Sequence, residues 1–172
     1  MIKFLPFILI AFMACGCTKS IPILPELSGK WDISYCEVRI NSEQTFQISH
    51  EGTKKALGTL QYQFLPNGDF SRREQDGSFT PGKWEYLADQ NLLRLIYTGS
   101  DREDVMVLDK INADELILTS HEIDTRSQHN SAFNIECISR AFVLMLNYKG
   151  ADKPQQTNRL KLNYIFRKEN EL

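Results

Sequence analysis

Nothing in this chain approaches eighteen consecutive apolar residues, the least that reads as a membrane-spanning helix. The longest apolar run, Phe4 to Ala14 with only Pro6 interrupting it, would make a helix of roughly 16 Å, about half of a ~30 Å bilayer core. Charge of one sign is also missing. Twenty lysines and arginines face 22 aspartates and glutamates, a formal −2, which leaves no footprint for nucleic acid or anionic lipid heads. The chain has no Gly-x-Ser-x-Gly elbow, no Gly-x-x-x-x-Gly-Lys phosphate loop and no His-Glu-x-x-His. The common signatures of nucleophile, phosphate cradle and zinc are therefore absent. His121 and His129, with Glu122 and Asp124 nearby, lack a ligand spacing and read as solvated loop. Asp101, Glu103 and Asp104 beside Arg102 read as a solvated turn. Glu74 with Asp76 is a carboxylate pair of the kind that any chain with 22 acids offers. No catalytic residue, metal site or cofactor is expected, and the chain reads as a non-enzyme.

What is present begins at the amino terminus. Lys3 precedes the apolar run, which suits the h-region of an export signal. Ala14-Cys15-Gly16-Cys17 follows it and resembles the bacterial lipoprotein cleavage box. That resemblance implies diacylation of the Cys17 sulfur, cleavage after Gly16 and acylation of the new amino terminus by chains such as palmitate. Ala14 stands where such boxes usually carry leucine, and Cys15 is a competing acceptor. The alternative is an ordinary cleaved signal that contains cysteines. Acyl chains contribute about 0.8 kcal/mol per buried CH₂ and would be the only membrane anchor. The expected organisation is a signal peptide over 1–16, a lipidated cysteine and short stiff tether over 17–26, and one folded domain over 27–169. The expected place is the cell envelope, as an outer-membrane lipoprotein facing the periplasm.

Once Cys15 and Cys17 are assigned to the leader and the lipid, Cys36 and Cys137 remain in the domain. In an exported chain such a pair reads as a disulfide before it reads as metal ligands, with two separate buried thiols as the alternative.

The domain alternates in the period of two that marks half-buried strands. Trp31, Ile33 and Tyr35 alternate with polar residues, as do Leu60, Tyr62 and Phe64, and later Leu160, Leu162, Tyr164 and Phe166. Turn residues recur every 10 to 13 positions from Asn67-Gly68 to Asn112-Ala113-Asp114, the rhythm of a meander. Residues 41–56 and 121–131 read as long polar loops. Ala141 to Tyr148 also fits helical spacing through Ile138, Ala141, Phe142 and Met145, but a closing hairpin with residues 160–166 is the simpler account. The expected fold is all-β: one antiparallel up-and-down barrel of about eight or nine strands with little helix.

Four stretches then resemble the bacterial lipocalin-like lipoproteins. Leu27 to Trp31 carries their Gly-x-Trp opening. Tyr62 to Phe70 resembles their second strand, turn and third strand, and Gly82-Lys83-Trp84-Glu85-Tyr86 resembles the next recurring element. Val107 to Ile111 followed by Leu116 to Thr119 resembles the hairpin after it. In lipocalins a late arginine stacks on the Gly-x-Trp indole and plugs the closed end of the barrel. The resemblance offers Arg167 for that role opposite Trp31, with Arg140 as a rival. Aromatic residues at inward strand positions suit a small hydrophobic ligand, with Trp31, Tyr62, Phe64, Trp84 and Tyr97 as the expected lining. The competing expectation is a barrel filled by those rings. Such a barrel would leave an accessory lipoprotein that meets an envelope protein through its loops, with an exposed apolar patch near 41–56, 121–132 or 150–158.

Overall fold

Apolar alternation becomes strand almost everywhere it was expected in the computed structural model of the chain, which describes residues 24–74, 76–150 and 157–169. The expected signal peptide, Cys17 and the tether up to residue 23 lie outside the described residues. The first strand, β1 (Gly29–Ile40), is followed by β2 (Gln44–Ile48) and the short helix α1 (His50–Leu57). The meander then runs through β3 (Gln61–Phe64), β4 (Asp69–Arg73), β5 (Phe79–Leu87), β6 (Leu92–Tyr97), β7 (Glu103–Ile111) and β8 (Glu115–Thr119). A two-residue strand β9 (Ile123–Asp124), helix α2 (Ala132–Leu146) and the last strand β10 (Arg159–Lys168) complete it.

Neighbouring strands of the meander pair antiparallel from β3 to β8. β1 pairs with β3 on one side and β10 on the other, and β10 also pairs with β8. Eight strands therefore close into a barrel, which leaves the sheet few free edges. β2 and β9 are additions. Beyond Ile33, β1 leaves β3 and takes β2 as its partner, while the start of β10 takes β9. The order β2-β1-β10-β9 makes a flap that rises from one rim of the barrel, and α1 and α2 pack against it over the mouth.

A bulge fits the barrel to the flap. The register of β1 against β10 shifts between Ile33 and Tyr35, so the buried row changes from Trp31 and Ile33 to Cys36, Val38 and Ile40. A bulge inserts one residue and so reverses the parity of everything after it. Tyr35, expected to alternate inward with Trp31 and Ile33, follows the bulge at Ser34 and is only half-buried.

Two segments depart from the expectation. Residues 41–56 hold β2 and most of α1 in place of a loop. Residues 141–148, expected as a strand, lie mostly in α2, and β10 pairs with β1 and β8 instead. The helix starts where Ser131 Oγ accepts from the Asn134 amide at 3.2 Å, the capping arrangement that satisfies a first-turn donor. Phe133, Cys137, Ala141 and Leu144 form its buried stripe. The segment is apolar on both faces because its outer face is apolar without being covered.

The closed end corrects one residue. Arg167 stands opposite Asp32, is half exposed and pairs with Glu115 at 2.9 Å. Lys168 stands opposite Trp31, and its Nζ lies 5.1 Å from the centre of the indole. Leu160, Leu162, Tyr164, Phe166 and Lys168 share one parity of β10, and Arg167 has the other. Gly29 is part of the same arrangement. A Cβ there would lie 2.7 Å from Lys168 Cε, and the residue has a φ of +130°, so the lysine stem crosses bare backbone to reach the ring. Trp31 Nε1 donates to Leu27 O at 2.7 Å, which ties the incoming chain beneath it. Lys168→Gln should lower the urea-unfolding free energy by about 0.5–2 kcal/mol, the range of a cation–π contact, and shift the tryptophan emission. Arg167→Gln should change the emission little.

Candidate functional site

The interior has two layers. Towards the closed end it is aromatic: Tyr62 lies 5.6 Å from Phe64, Phe64 lies 6.3 Å from Trp84, and Phe70 links this group to Tyr97 at 5.3 Å. Trp31 is the cross-strand neighbour of Tyr62. The five expected lining residues are thus brought into one interior, all buried, with rings set against rings. Edge-on and offset contacts of this kind contribute about 0.5–1.5 kcal/mol beyond the area buried.

Towards the mouth the interior becomes charged. Arg72 on β4 is only 2% exposed, and Asp104 on β7 is fully buried. Arg72 Nη1 donates to Tyr97 Oη at 3.0 Å, and that hydroxyl donates to Asp104 Oδ2 at 2.7 Å. Arg102, in the turn before β7, grips Asp104 with two nitrogens at 3.0 and 2.9 Å, and its guanidinium lies 4.5 Å from the Tyr97 ring centre. Glu74 places Oε1 2.8 Å from Arg72 Nε and accepts from Nη2 through Oε2 at 3.1 Å.

Helix α2 supplies the rest of this layer. Glu136 Oε1 accepts from Arg72 Nη2 at 2.6 Å and also meets Arg140, one helical turn on; Oε2 meets Arg102. Arg140 in turn lies over the Tyr164 ring. Three arginines therefore face three carboxylates. Burial pushes Glu136 upward, but Arg140 and Arg72 outweigh it and hold its carboxyl below the ordinary value. Burial also raises the Tyr97 hydroxyl, so it stays protonated and can donate. Asp104 and Arg102, expected in a solvated turn, instead sit in this layer. Arg72 and Glu136 were not anticipated, although Arg72 shares the parity of buried Phe70 on β4.

α2 is inverted relative to an ordinary surface helix. Its two charged residues point into the protein, whereas Ile135, Phe142 and Leu146 are 56%, 67% and 71% exposed. Between α1, α2 and the rim lies a pocket of about 240 Å³. Leu57, Leu60 and Val143 give it an apolar wall, and Glu74, Ser139 and Arg140 give it a polar one. α1 is fixed beside it by Thr53, whose Oγ1 accepts from the Cys36 amide at 3.1 Å and donates to Ile48 O at 3.3 Å. Among the described residues no cluster of histidine, cysteine, aspartate or glutamate could hold a metal.

The expected Cys36–Cys137 bridge is not formed; both are free, buried thiols. Cys36 stands opposite Tyr164 across β1 and β10, and Cys137 Sγ lies 3.7 Å from the Tyr164 hydroxyl. Each thiol is thus in contact with or paired beside the same tyrosine, and burial pushes both up to about 12. A buried protonated thiol is a poor nucleophile. The chain lacking residues 1–17, folded and non-reduced, should react slowly with a maleimide, take up two equivalents when unfolded in urea, and show no mass change on reduction.

The charged layer also fixes a pH dependence. A carboxylate whose folded pKa is depressed stabilises above its unfolded value, and that contribution is lost as pH falls through the folded one. For Glu136 the window lies below the ordinary 4.5. Amide exchange across α2 should therefore accelerate as pH falls below about 4.5, after correction for intrinsic rates, and Glu136→Gln should remove part of that acceleration.

No protein-family model matches the chain, and no curated protein matches it. Among solved structures it is similar to a lipocalin-like protein from Bacteroides uniformis, at 12% identity over 84% of this chain and 99% of that one, with a TM-score of 0.40.

Proposed function

We propose that the chain is a lipid-anchored, lipocalin-like binding protein of the bacterial cell envelope, non-enzymatic, which holds a small and largely apolar ligand. The observation that carries this reading is the pocket of about 240 Å³ at the barrel mouth. Its mix of apolar walls and a few polar groups is the make-up of a small-molecule site. The ligand then sits under α2 rather than among Trp31, Tyr62, Phe64, Trp84 and Tyr97, whose rings occupy the barrel below. The Ala14-Cys15-Gly16-Cys17 stretch, which resembles a lipoprotein cleavage box, supports the anchor at Cys17, and the outer-membrane, periplasm-facing location is part of the same proposal. The described chain enters beneath Trp31, whose indole is tied to Leu27 O, at the end opposite the mouth, so an anchor at Cys17 would leave the pocket facing away from the membrane.

A second reading is favoured by the outer face of α2. Ile135, Phe142 and Leu146 form an uncharged apolar stripe that would suit an equally apolar surface on an envelope protein. It lies on the helix that follows the expected 121–132 stretch; most of the expected stretch 150–158 lies outside the described residues.

Native mass spectrometry of the chain lacking residues 1–17, purified from its host's periplasm, tests the first reading. A small adduct should survive gentle ionisation and leave on denaturation, and Val143→Trp, which fills the pocket, should abolish it. An adduct that persists in Val143→Trp would move the site elsewhere. No adduct, with no thermal shift across a panel of small apolar compounds, would overturn the binding reading.

A further inference from the structure

We propose that the outer face of α2 is the contact surface of a two-fold pair, and that its partner is a second copy of this chain. This rests on the second reading above, in which the stripe is a docking surface, and names the partner. Four of the seven exposed large apolar side chains among the described residues lie on this one helix: Ile135, Phe142, Val143 and Leu146. Exposed Ser139 lies in the same row, so Ile135, Ser139, Phe142 and Leu146 follow one another at spacings of four, three and four residues. That alternation is the seam of two helices packed side by side. The charged residues of α2, Glu136 and Arg140, are turned inward onto Arg72, Arg102 and Tyr164, so the seam carries no charge to be matched. The described chain begins and ends at the far end of the barrel, where Trp31 stands opposite Lys168, and neither end lies where it could cover the helix.

The row is complementary to itself when one copy is turned end for end. In a two-fold pair, residue i of one copy meets residue j of the other, and j meets i. The antiparallel register that sets Ile135 against Leu146 also sets Ser139 against Phe142, because both pairs share one midpoint in the sequence. Large side chains then meet at the two outer contacts, and a large one meets a small one at the two inner contacts. Facing positions interdigitate by that alternation of size, and Ser139 leaves the gap that Phe142 fills. A parallel pairing would set Phe142 on Phe142 and Ser139 on Ser139, crowding one level and leaving the other open. A helix of 15 residues is about 22 Å long and about 10–12 Å wide with its side chains. One face of it therefore covers on the order of 250 Å², against about 800 Å² per partner in a standard interface. The pair is accordingly weak and reversible in solution, and the proposed anchor, by confining copies to one membrane, raises their effective concentration.

Cysteine cross-linking in the full chain, expressed in the envelope of its host, makes the test. Ile135→Cys and Leu146→Cys, carried on two separately tagged copies, should give a disulfide-linked mixed dimer under a mild oxidant. Cys36 and Cys137 are buried and do not compete. Ile135→Cys alone should give no link, because its two copies stand about 16 Å apart along an antiparallel pair, far beyond the ~7 Å that a disulfide bridges. The chain lacking residues 1–17 should dimerise reversibly in sedimentation equilibrium, with a micromolar or weaker dissociation constant. Phe142→Ser should weaken that dimer about tenfold or more without lowering the thermal midpoint. Self-linking of Ile135→Cys as efficient as the mixed pair, or a monomer at millimolar concentration together with no mixed link, would overturn the second copy. A link from Phe142→Cys to a different envelope protein, in place of the mixed dimer, would also overturn it and leave the docking reading standing. No link of any kind, with Phe142→Ser indistinguishable from the parent, would sink both.

Discussion

The pairing of Arg72 with Glu136 is the contact on which the upper half of the molecule depends. It joins the barrel wall to α2 inside a layer where Arg72 and Asp104 are almost fully buried. Taking charges out of water costs several kcal/mol per ion, and that cost is offset only where every ion finds good partners. Here the balance holds on each side separately. Arg72 and Arg102 match Glu74 and Asp104 on the barrel, and Glu136 matches Arg140 on the helix. The helix can therefore be made, and the barrel closed, without either carrying a net charge into the contact. Breaking one partner after docking would strand the others.

The division of the interior into aromatic and ionic layers decides where a ligand can be held. Below, Tyr62, Phe64, Phe70 and Trp84 pack ring against ring, and Lys168 covers the far end over Trp31. Above, the bulge near Ser34 redirects β1, and the flap carries α1 and α2 across the mouth. A pocket that mixes apolar wall with charge lies at that junction. A site there has on its wall a guanidinium and a carboxylate that already belong to the charged layer.

Much of the barrel could be read from alternation. β4 to β7 lie within the stretch where turn residues recur, and the turn at Asn67-Gly68 closes as its residues require, with Asn67 Oδ1 accepting from the Asp69 amide at 3.1 Å. α2 could not be told from a strand, because Ala141 to Tyr148 is apolar at every spacing. Arg167 was favoured by resemblance although its own parity set it outside; Lys168 had the right parity. The charged layer was hardest to see. Asp104 lies in step with Met106 and Leu108, both buried, yet an aspartate among acidic neighbours reads as surface until Arg72, 32 residues away, is placed against it. Glu136 comes a further 32 residues along the chain. Alternation can show that a charged residue faces inward but not which distant residue pairs with it.

The same layer explains why α2 turns an apolar face to water. Rolled by half a turn, the helix would bury Ile135, Phe142 and Leu146 and uncover Phe133, Cys137, Ala141 and Leu144. At about 1.5–3 kcal/mol for each large apolar side chain, gain and loss are of similar size, so hydrophobic burial barely distinguishes the two orientations. The charges do distinguish them. Rolling would carry Glu136 and Arg140 outward and leave Arg72 and Arg102 without the carboxylate between them, a loss of about 3–5 kcal/mol for a broken buried pair. The ionic contact thus selects the face, and the exposed stripe is its consequence.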